Sequence, residues 1–213
     1  MLDSLKINQE MYRLFFKRAI DLVFSLVFVV LLCPIYILLI IFLGFYYKGN
    51  PFFTQERPGK DNKLFNVIKF KSMIDAFDLH GIALPNKDRI TNVGKFLRKT
   101  SLDEIPQIFN IIKGDMSFIG PRPLFKSYLD YYTLEELKRH SVKPGVTGLA
   151  QVNGRNYLEW SERLSLDIEY AQNVTFLLDI KILFLTFLKV IKREDISVIP
   201  SMPPLYKIRN KRN

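Results

Sequence analysis

Cysteine and histidine are scarce in this chain, and each scarcity excludes chemistry. The 213 residues include one cysteine, Cys33, and two histidines, His80 and His140. A single thiol cannot form an intramolecular disulfide, which fits a reducing compartment. One Cys and two His cannot build the tetrahedral set of a structural zinc site. No Gly-x-x-x-x-Gly-Lys-Ser/Thr loop and no Gly-x-Gly-x-x-Gly fingerprint occurs, so the common nucleotide cradles are missing. A Ser-His-Asp triad is not excluded by composition, but no Gly-x-Ser-x-Gly elbow supports one. Repeats and low-complexity tracts are also missing. Between Asp21 and Lys48 there is no charged residue at all.

What is present suits a membrane-bound globular domain. Hydrophobic residues make up 48 % and charged residues 24 %, close to globular norms, so disorder of the whole chain is excluded. The length allows one domain with a real core, or one domain plus a membrane element. The formal net charge of +10 attracts nucleic acid, anionic lipid or phosphorylated substrates, without choosing among them.

The uncharged run Leu22–Tyr47 would reach roughly 39 Å as a straight helix, against a hydrocarbon core about 30 Å thick. It is too long for a signal-peptide core, and no small-residue cleavage site follows it. Arg13, Lys17 and Arg18 precede it, and Lys48, Arg57, Lys60 and Lys63 follow. Cations on both flanks give no asymmetry to orient a span. Pro34 near its centre removes a backbone donor. A helix that enters, breaks at Cys33-Pro34 and returns to the same face satisfies both flanks, with Ser25 or packed protein as partner for the opened backbone. A kinked span satisfies the composition equally.

Residues 1–18 read as an amphipathic lead-in helix for a membrane surface. Residues 50–75 read as a β-hairpin whose turn is Arg57–Asn62, and 76–92 as loop. Short helices are expected at Gly94–Lys99 and Pro106–Lys113, the latter closed by Gly114. Ser117–Pro123 and Lys143–Arg155 read as irregular, Tyr128–His140 as a polar helix and Trp160–Gln172 as a helix. Val174–Ile191 contains Asp179, Lys181 and Lys189, so it reads as an interfacial or a core helix. The basic tail Ser201–Asn213 suits an anionic lipid surface, or frays. The expected division is 1–48 membrane element, 49–200 catalytic domain and 201–213 tail.

The chemically loaded stretch is Leu97 to Gln107. Two adjacent carboxylates, Asp103 and Glu104, follow Arg98 and Lys99. A carboxylate can attack phosphorus and form a covalent intermediate, and it can hold Mg2+ for phosphoryl chemistry. The competing reading is helix capping. Ser101-x-x-Glu104 matches a capping box, but Pro106 then falls too deep in the helix; with Asp103 as the cap, it falls in the first turn, which is tolerated. Gly120-Pro121-Arg122-Pro123 fixes one arginine between two prolines, which suits phosphate binding or a plain surface loop. Lys143–Asn156 carries three glycines that permit close backbone approach, or mark turns.

Taken together these motifs resemble the bacterial sugar transferase family, the monotopic phosphoglycosyl transferases. The resemblance runs from Lys17-Arg18-Ala19-Ile20-Asp21 to about Ile191, through Phe53–Gly59, Lys69–Met73, Leu97–Gln107, Gly114–Ser117, Gly120–Pro123 and Pro144–Asn156. The small size is most similar to the bacillosamine-phosphate transferases of N-linked glycan assembly. The resemblance implies an α+β, mainly helical monotopic protein with a re-entrant helix-break-helix, a small β-hairpin and interfacial amphipathic helices. It implies residence on the cytoplasmic face of the bacterial inner membrane, among membrane lipids. It implies transfer of a sugar 1-phosphate from a UDP-sugar, an N-acetylated or modified hexosamine, to polyprenol (undecaprenyl) phosphate, with release of UMP. Asp103 is the implied nucleophile and Glu104 supports metal or proton handling. Asp103 and Glu104 are the implied Mg2+ ligands, and Lys69, Arg98, Arg122 and Arg155 hold phosphates. Three positions depart from the pattern: Cys33-Pro34 replaces Ser-Pro, Lys71 replaces an arginine, and Leu149 replaces a tryptophan.

Two other classes fit the composition. A non-enzymatic membrane adaptor would bind anionic lipid without needing the acidic pair. A nucleic-acid binder would need aromatics interleaved with its cations, and these are lacking, so no nucleic acid is expected as partner.

Overall fold

The computed structural model describes residues 9–78, 80–82, 84–154, 158–192 and 202–212. A π-helical turn, Tyr12–Phe16, runs into helix α1, Lys17–Tyr46. The helical stretch Gln9–Tyr46 is the one helix among the described residues long and apolar enough to cross a membrane, with mean hydropathy 3.3 in its most apolar window and 6 % of that window buried. Val30 is 74 % exposed and Leu31 and Leu38 are each 67 % exposed. Water would oppose such a surface, whereas lipid requires it together with complete internal backbone pairing.

Pro34 lies inside this helix and does not divide it in two. It withholds only the N–H that the Val30 carbonyl would accept. Ser25 does not serve the opened backbone, because its buried Oγ has no hydrogen-bond partner among the described residues. Both ends of α1 are fastened to the same body. At the start, Arg18 donates to the carbonyls of Ile111 and Ile112 at 2.5 and 2.7 Å. Lys17 pairs with Asp179 at 2.6 Å, and the Phe118 N–H donates to Asp21 at 3.1 Å. Toward the end, the Tyr36 ring lies 5.5 Å from that of Phe109, and fully buried Leu43 clusters with Phe70 and Leu97.

The hairpin is present. Strand β1, Phe52–Pro58, pairs antiparallel with β2, Leu64–Phe70, from Phe52 opposite Phe70 to Pro58 opposite Leu64. Asp61 and Asn62 turn the chain at φ 54° and 60°, a region these residue types tolerate. Phe65 and Val67 are buried and alternate with exposed Leu64 and Asn66 along β2, as a half-covered strand requires, and Phe70 at its end is buried out of that phase.

Four short helices follow: α2, Asn86–Arg89; α3, Asn92–Lys99; α4, Gln107–Lys113; and α5, Leu149–Val152. Two longer ones close the chain's helical content, α6 at Trp160–Gln172 and α7 at Phe176–Lys192. Helix α6 matches the expected bounds, and α7 starts two residues later than expected. Ile182 of α7 is fully buried, while Phe184, Phe187 and Val190 are each about 60 % exposed, so α7 packs one face and bares an apolar other.

Four expectations need correction. Residues 76–92 are not all loop, since α2 lies within them. Ser117–Pro123 and Lys143–Arg155 are not both irregular: β3, Ser117–Ile119, pairs in parallel with β4, Gly145–Thr147. Three-residue strands of low periodicity give no sequence signal, and their partner is distant in the chain. Tyr128–His140 is not one helix but two 3-10 segments, Lys126–Tyr131 and Glu136–Ser141. A reciprocal box divides them, in which the Glu136 N–H donates to Thr133 Oγ1 and the Thr133 N–H to Glu136 Oε2; it closes a turn that leads into the second segment. The tail does not fray over its described part: Leu205 is fully buried, Arg209 pairs with Glu136 at 2.8 Å, and Trp160 Nε1 donates to the Pro203 carbonyl. Of the expected lead-in, residues 1–8 lie outside the described residues. Over the rest, Met11, Leu14, Phe15 and Phe16 are exposed, while Tyr12 donates to Asp179 at 2.6 Å.

Candidate active site

Backbone geometry places the acidic pair. Thr91 caps α3 by accepting the Gly94 N–H at 2.9 Å, as an N-cap threonine does. A Cβ on Gly94 would sit 1.8 Å from the Ser72 carbonyl oxygen, so only glycine lets α3 lie this close to the segment after β2. Helix α3 ends at Thr100, and Ser101 turns the chain at φ 56°. The 3-10 turn Leu102–Glu104 follows, and Pro106 opens α4. The capping reading fails on this geometry: neither Ser101 nor Pro106 makes a side-chain cap bond. Asp103 makes no side-chain hydrogen bond among the described residues, and it is 7 % exposed.

Asn110 ties this helix to the hairpin. Its Nδ2 donates to the Asn66 carbonyl at 2.7 Å, and its Oδ1 accepts the Ile68 N–H at 3.0 Å. One amide thus continues the edge of β2 and brings Lys69 to the pair. Lys69 Nζ lies 2.7 Å from Glu104 Oε1. From the other side Arg122 reaches Glu104 with both terminal nitrogens, at 2.5 and 3.4 Å, a fork suited to a carboxylate. Arg122 is aimed by its backbone: its carbonyl accepts Arg139 Nη2 at 2.7 Å. Two residues earlier Gly120 abuts the Lys143 carbonyl, where a Cβ would approach to 2.3 Å. Arg98 Nε donates to Ser72 Oγ at 2.9 Å.

The two carboxyls are thereby driven apart. Burial raises Glu104, but Arg122 and Lys69 outweigh that and hold it well below the usual carboxylate range. Burial, then the charge of Glu104, pushes Asp103 up to about 6, against the pull of Lys69, Arg98 and Arg122. Environments that separate two acids in this way assign them different tasks. Glu104 is a fixed anion that organises cations. Asp103 is an unbonded, poorly solvated carboxylate, ionised at neutral pH and facing positive charge.

Glu104 and Arg122 also line a cavity of about 530 Å³. Its walls are mostly apolar, with Phe28 and Leu32 from α1, Ile105 and Ile108 beside the acidic pair, and Val190 from α7. Of the expected site residues, Asp103, Glu104, Lys69, Arg98 and Arg122 come together, and Arg155 lies outside the described residues. Lys99, Ser101 and Gln151 line the cavity without having been expected as site residues. Gln151 carries a buried Oε1 that has no partner among the described residues. Their signal was proximity in sequence to residues already chosen; Phe28 and Leu32 gave none beyond hydrophobicity.

A divalent cation would find few donors here. Among the described residues no three His, Cys, Asp or Glu side chains gather, and both Glu104 oxygens are engaged by Lys69 and Arg122. Asp103 remains. A single carboxylate completed by substrate phosphate oxygens and water is an ordinary way to bind Mg2+.

The comparisons with known proteins point the same way. The sequence profile of the bacterial sugar transferases matches residues 12–193. The chain is 49 % identical over 149 residues to an uncharacterized sugar transferase, EpsL, of Bacillus subtilis, covering 70 % of this chain and 74 % of that one. It is 42 % identical to the UDP-glucose:undecaprenyl-phosphate glucose-1-phosphate transferase of Klebsiella pneumoniae, covering 82 % of this chain and 40 % of that one. It is 39 % identical to the undecaprenyl-phosphate galactose phosphotransferase of Salmonella typhimurium, covering 85 % and 41 %. It therefore spans about two fifths of the length of the latter two, whose names carry glucose and galactose and not bacillosamine. With a matched profile over most of its length and these relatives, the chain belongs to the bacterial sugar transferase family.

Proposed function

We propose that this protein transfers a sugar 1-phosphate from a UDP-sugar to polyprenol phosphate, releasing UMP, by way of a covalent phosphosugar on Asp103. The observation that carries the reading is a buried, unbonded Asp103 beside the Glu104–Arg122–Lys69 cluster, where that cluster opens on an apolar cavity walled by α1. The printed names of the Klebsiella and Salmonella relatives support the substrate classes.

In the first half-reaction an Asp103 oxygen attacks the β-phosphorus. The phosphorus–oxygen bond to UMP breaks, and UMP leaves with the electron pair. In the second, an oxygen of polyprenol phosphate attacks the same phosphorus and Asp103 is regenerated. Lys69, Arg98 and Arg122 supply fixed positive charge toward the phosphoryl oxygens, the type of preorganised electrostatics that lowers such barriers. Arg155 is proposed to add to this charge. Mg2+ held by Asp103 and substrate phosphates would neutralise further negative charge when bound.

We also propose that α1, continuous but bent at Cys33-Pro34, dips into one leaflet and returns to the cytoplasmic face. Both of its ends are held by the body that carries the acidic pair, while its middle is bare and apolar. A span would separate those ends by roughly 30 Å of hydrocarbon.

The test is UMP release from a panel of UDP-sugars, including glucose, galactose and N-acetylated hexosamines, with polyprenol phosphate and Mg2+. Turnover with at least one donor and none from Asp103→Asn is the expected result. Full activity of Asp103→Asn, or no turnover on any donor, overturns the reading.

A further inference from the structure

Ser101 stands where the end of a helix normally has glycine. It follows Thr100, the C-cap of α3, and turns the chain at φ 56° and ψ 16°. In this left-handed region a side chain costs free energy that glycine avoids. Helix α4 meets the same need with Gly114 at φ 96°, the usual solution. The backbone of Ser101 serves the fold: its N–H donates to the Arg98 carbonyl at 3.3 Å, and its carbonyl accepts the Glu104 N–H at 3.1 Å. Glycine would make both bonds. The side chain serves nothing comparable. It makes no cap bond, and its hydroxyl has no hydrogen-bond partner among the described residues. Thr100 differs, because its hydroxyl donates to the Phe96 carbonyl at 2.9 Å. A strained residue whose side chain does nothing for the fold marks a functional position.

The cavity beside the acidic pair shows what this side chain meets. Ser101 is partly exposed and is one of the residues that line it. The same wall carries Lys99, Glu104 and Arg122 as charged groups, and Phe28 and Leu32 of α1 as apolar ones. Arg122 is neutralised by Glu104. Lys99 is exposed and makes no ion pair among the described residues. The cavity therefore offers uncompensated positive charge from Lys99 and a free hydroxyl donor from Ser101. Ser101 is two residues from Asp103, so their Cα atoms lie within about 7 Å. A ligand that suits these walls is an anion with a long apolar part. Of the two phosphorylated substrates in the proposed reaction, only polyprenol phosphate has one.

We infer that Ser101 and Lys99 hold the phosphate of the polyprenol acceptor for the second half-reaction, an assignment that rests on the transferase reading above. In that step a phosphate oxygen of the acceptor bonds to the phosphorus carried by Asp103. The bond from that phosphorus to the Asp103 oxygen breaks, and its electron pair returns to Asp103. The attacking phosphate must approach two negative groups, the phosphosugar and Glu104. The Ser101 hydroxyl donates to one of its oxygens, and Lys99 offsets its charge. Attack of Asp103 on the UDP-sugar needs neither residue.

The two half-reactions separate in the assay. Given UDP-sugar and Mg2+ without polyprenol phosphate, the full-length protein in detergent should release a burst of UMP stoichiometric with enzyme. Ser101→Gly and Ser101→Ala should keep the rate of this burst and raise the KM for polyprenol phosphate about tenfold, the loss of one hydrogen bond to a charged group. Ser101→Gly should also raise the Tm by about 2 °C, the relieved strain less the extra freedom of glycine in the unfolded chain. Ser101→Ala should not raise it. A residue needed only for folding would move stability and activity together, whereas Ser101→Gly moves them in opposite directions. Lys99→Gln should raise the same KM severalfold and weaken its dependence on salt. An unchanged KM for polyprenol phosphate in both Ser101 variants, a burst slowed by the same factor as turnover, or a lower Tm for Ser101→Gly overturns the assignment alone. No UMP from the wild type with any UDP-sugar overturns the transferase reading and the assignment with it.

Discussion

Replacing Asp103 with asparagine should abolish turnover and at the same time stabilise the protein. The carboxyl is nearly isosteric with the amide, so packing changes little. What changes is charge. Folding raises Asp103 from its ordinary 3.8 to about 6, through burial and then the repulsion of Glu104. A rise of about two pH units corresponds to about 3 kcal/mol of cost for keeping the group ionised in the folded state. The amide's own donors still need partners, so the expected gain is about 1–3 kcal/mol. The sign follows from proton linkage. Between 3.8 and about 6 the folded protein holds the proton that the unfolded chain has released, so falling pH stabilises the wild type. The penalty is complete above about 6 and absent below 3.8. Urea or thermal unfolding of both proteins across this range should show the variant ahead at neutral pH and level with the wild type at the acid end. A variant that is less stable at neutral pH, or ahead by a pH-independent margin, would refute the argument that Asp103 is held ionised against its surroundings.

Four further outcomes follow from the same geometry. On the proposed mechanism Asp103 must be ionised to attack, so kcat/KM for the UDP-sugar, whose diphosphate does not titrate in this range, should fall as pH drops through about 6. Glu104→Gln strips the counter-charge from Lys69 and Arg122, whose side chains are 26 % and 25 % exposed; discounting for that exposure, unfolding should show a loss of about 2 kcal/mol. Gly120→Ala must part β3 from β4, since its Cβ would lie 2.3 Å from the Lys143 carbonyl oxygen, and should lose about 3 kcal/mol; Gly44→Ala, with nothing closer than 3.8 Å, should be neutral or slightly stabilising. In a Cys33→Ser background, Met11→Cys and Lys48→Cys should label from the same side of sealed vesicles, and labelling from opposite sides would remove the dip.

Particular residues show how far the sequence could be read. The apolar run from Leu22 to Tyr47 was legible because no charge interrupts it, and lipid imposes its requirement locally, residue by residue. The hairpin was legible because Arg57–Asn62 concentrates turn formers between two short β-rich runs. Helices α4 and α6 were legible from Gly114 as a stop and from the periodicity of Trp160–Gln172. The acidic pair and the phosphate-suited arginines were legible as chemistry, because few residue types can do such work.

Other features depended on contacts between distant segments. The pairing of Ser117–Ile119 with Gly145–Thr147 needs glycines that matter only once two backbones approach, and no local pattern marks them. The division at Tyr132-Thr133 turns on one reciprocal side-chain box. The tail was misread because its anchors, Glu136 for Arg209 and the cluster that buries Leu205, are remote in sequence.

By itself, then, the sequence determined the membrane segment, the hairpin, the family motifs and which residue types were available for phosphoryl chemistry, all of them properties of composition and near neighbours. Only the tertiary structure decided that Asp103 is a buried, unbonded carboxylate and not a helix cap, and that Glu104 is tied to Lys69 and Arg122. Those outcomes are set by burial and by distances between groups far apart in the chain, and electrostatic roles follow from such distances.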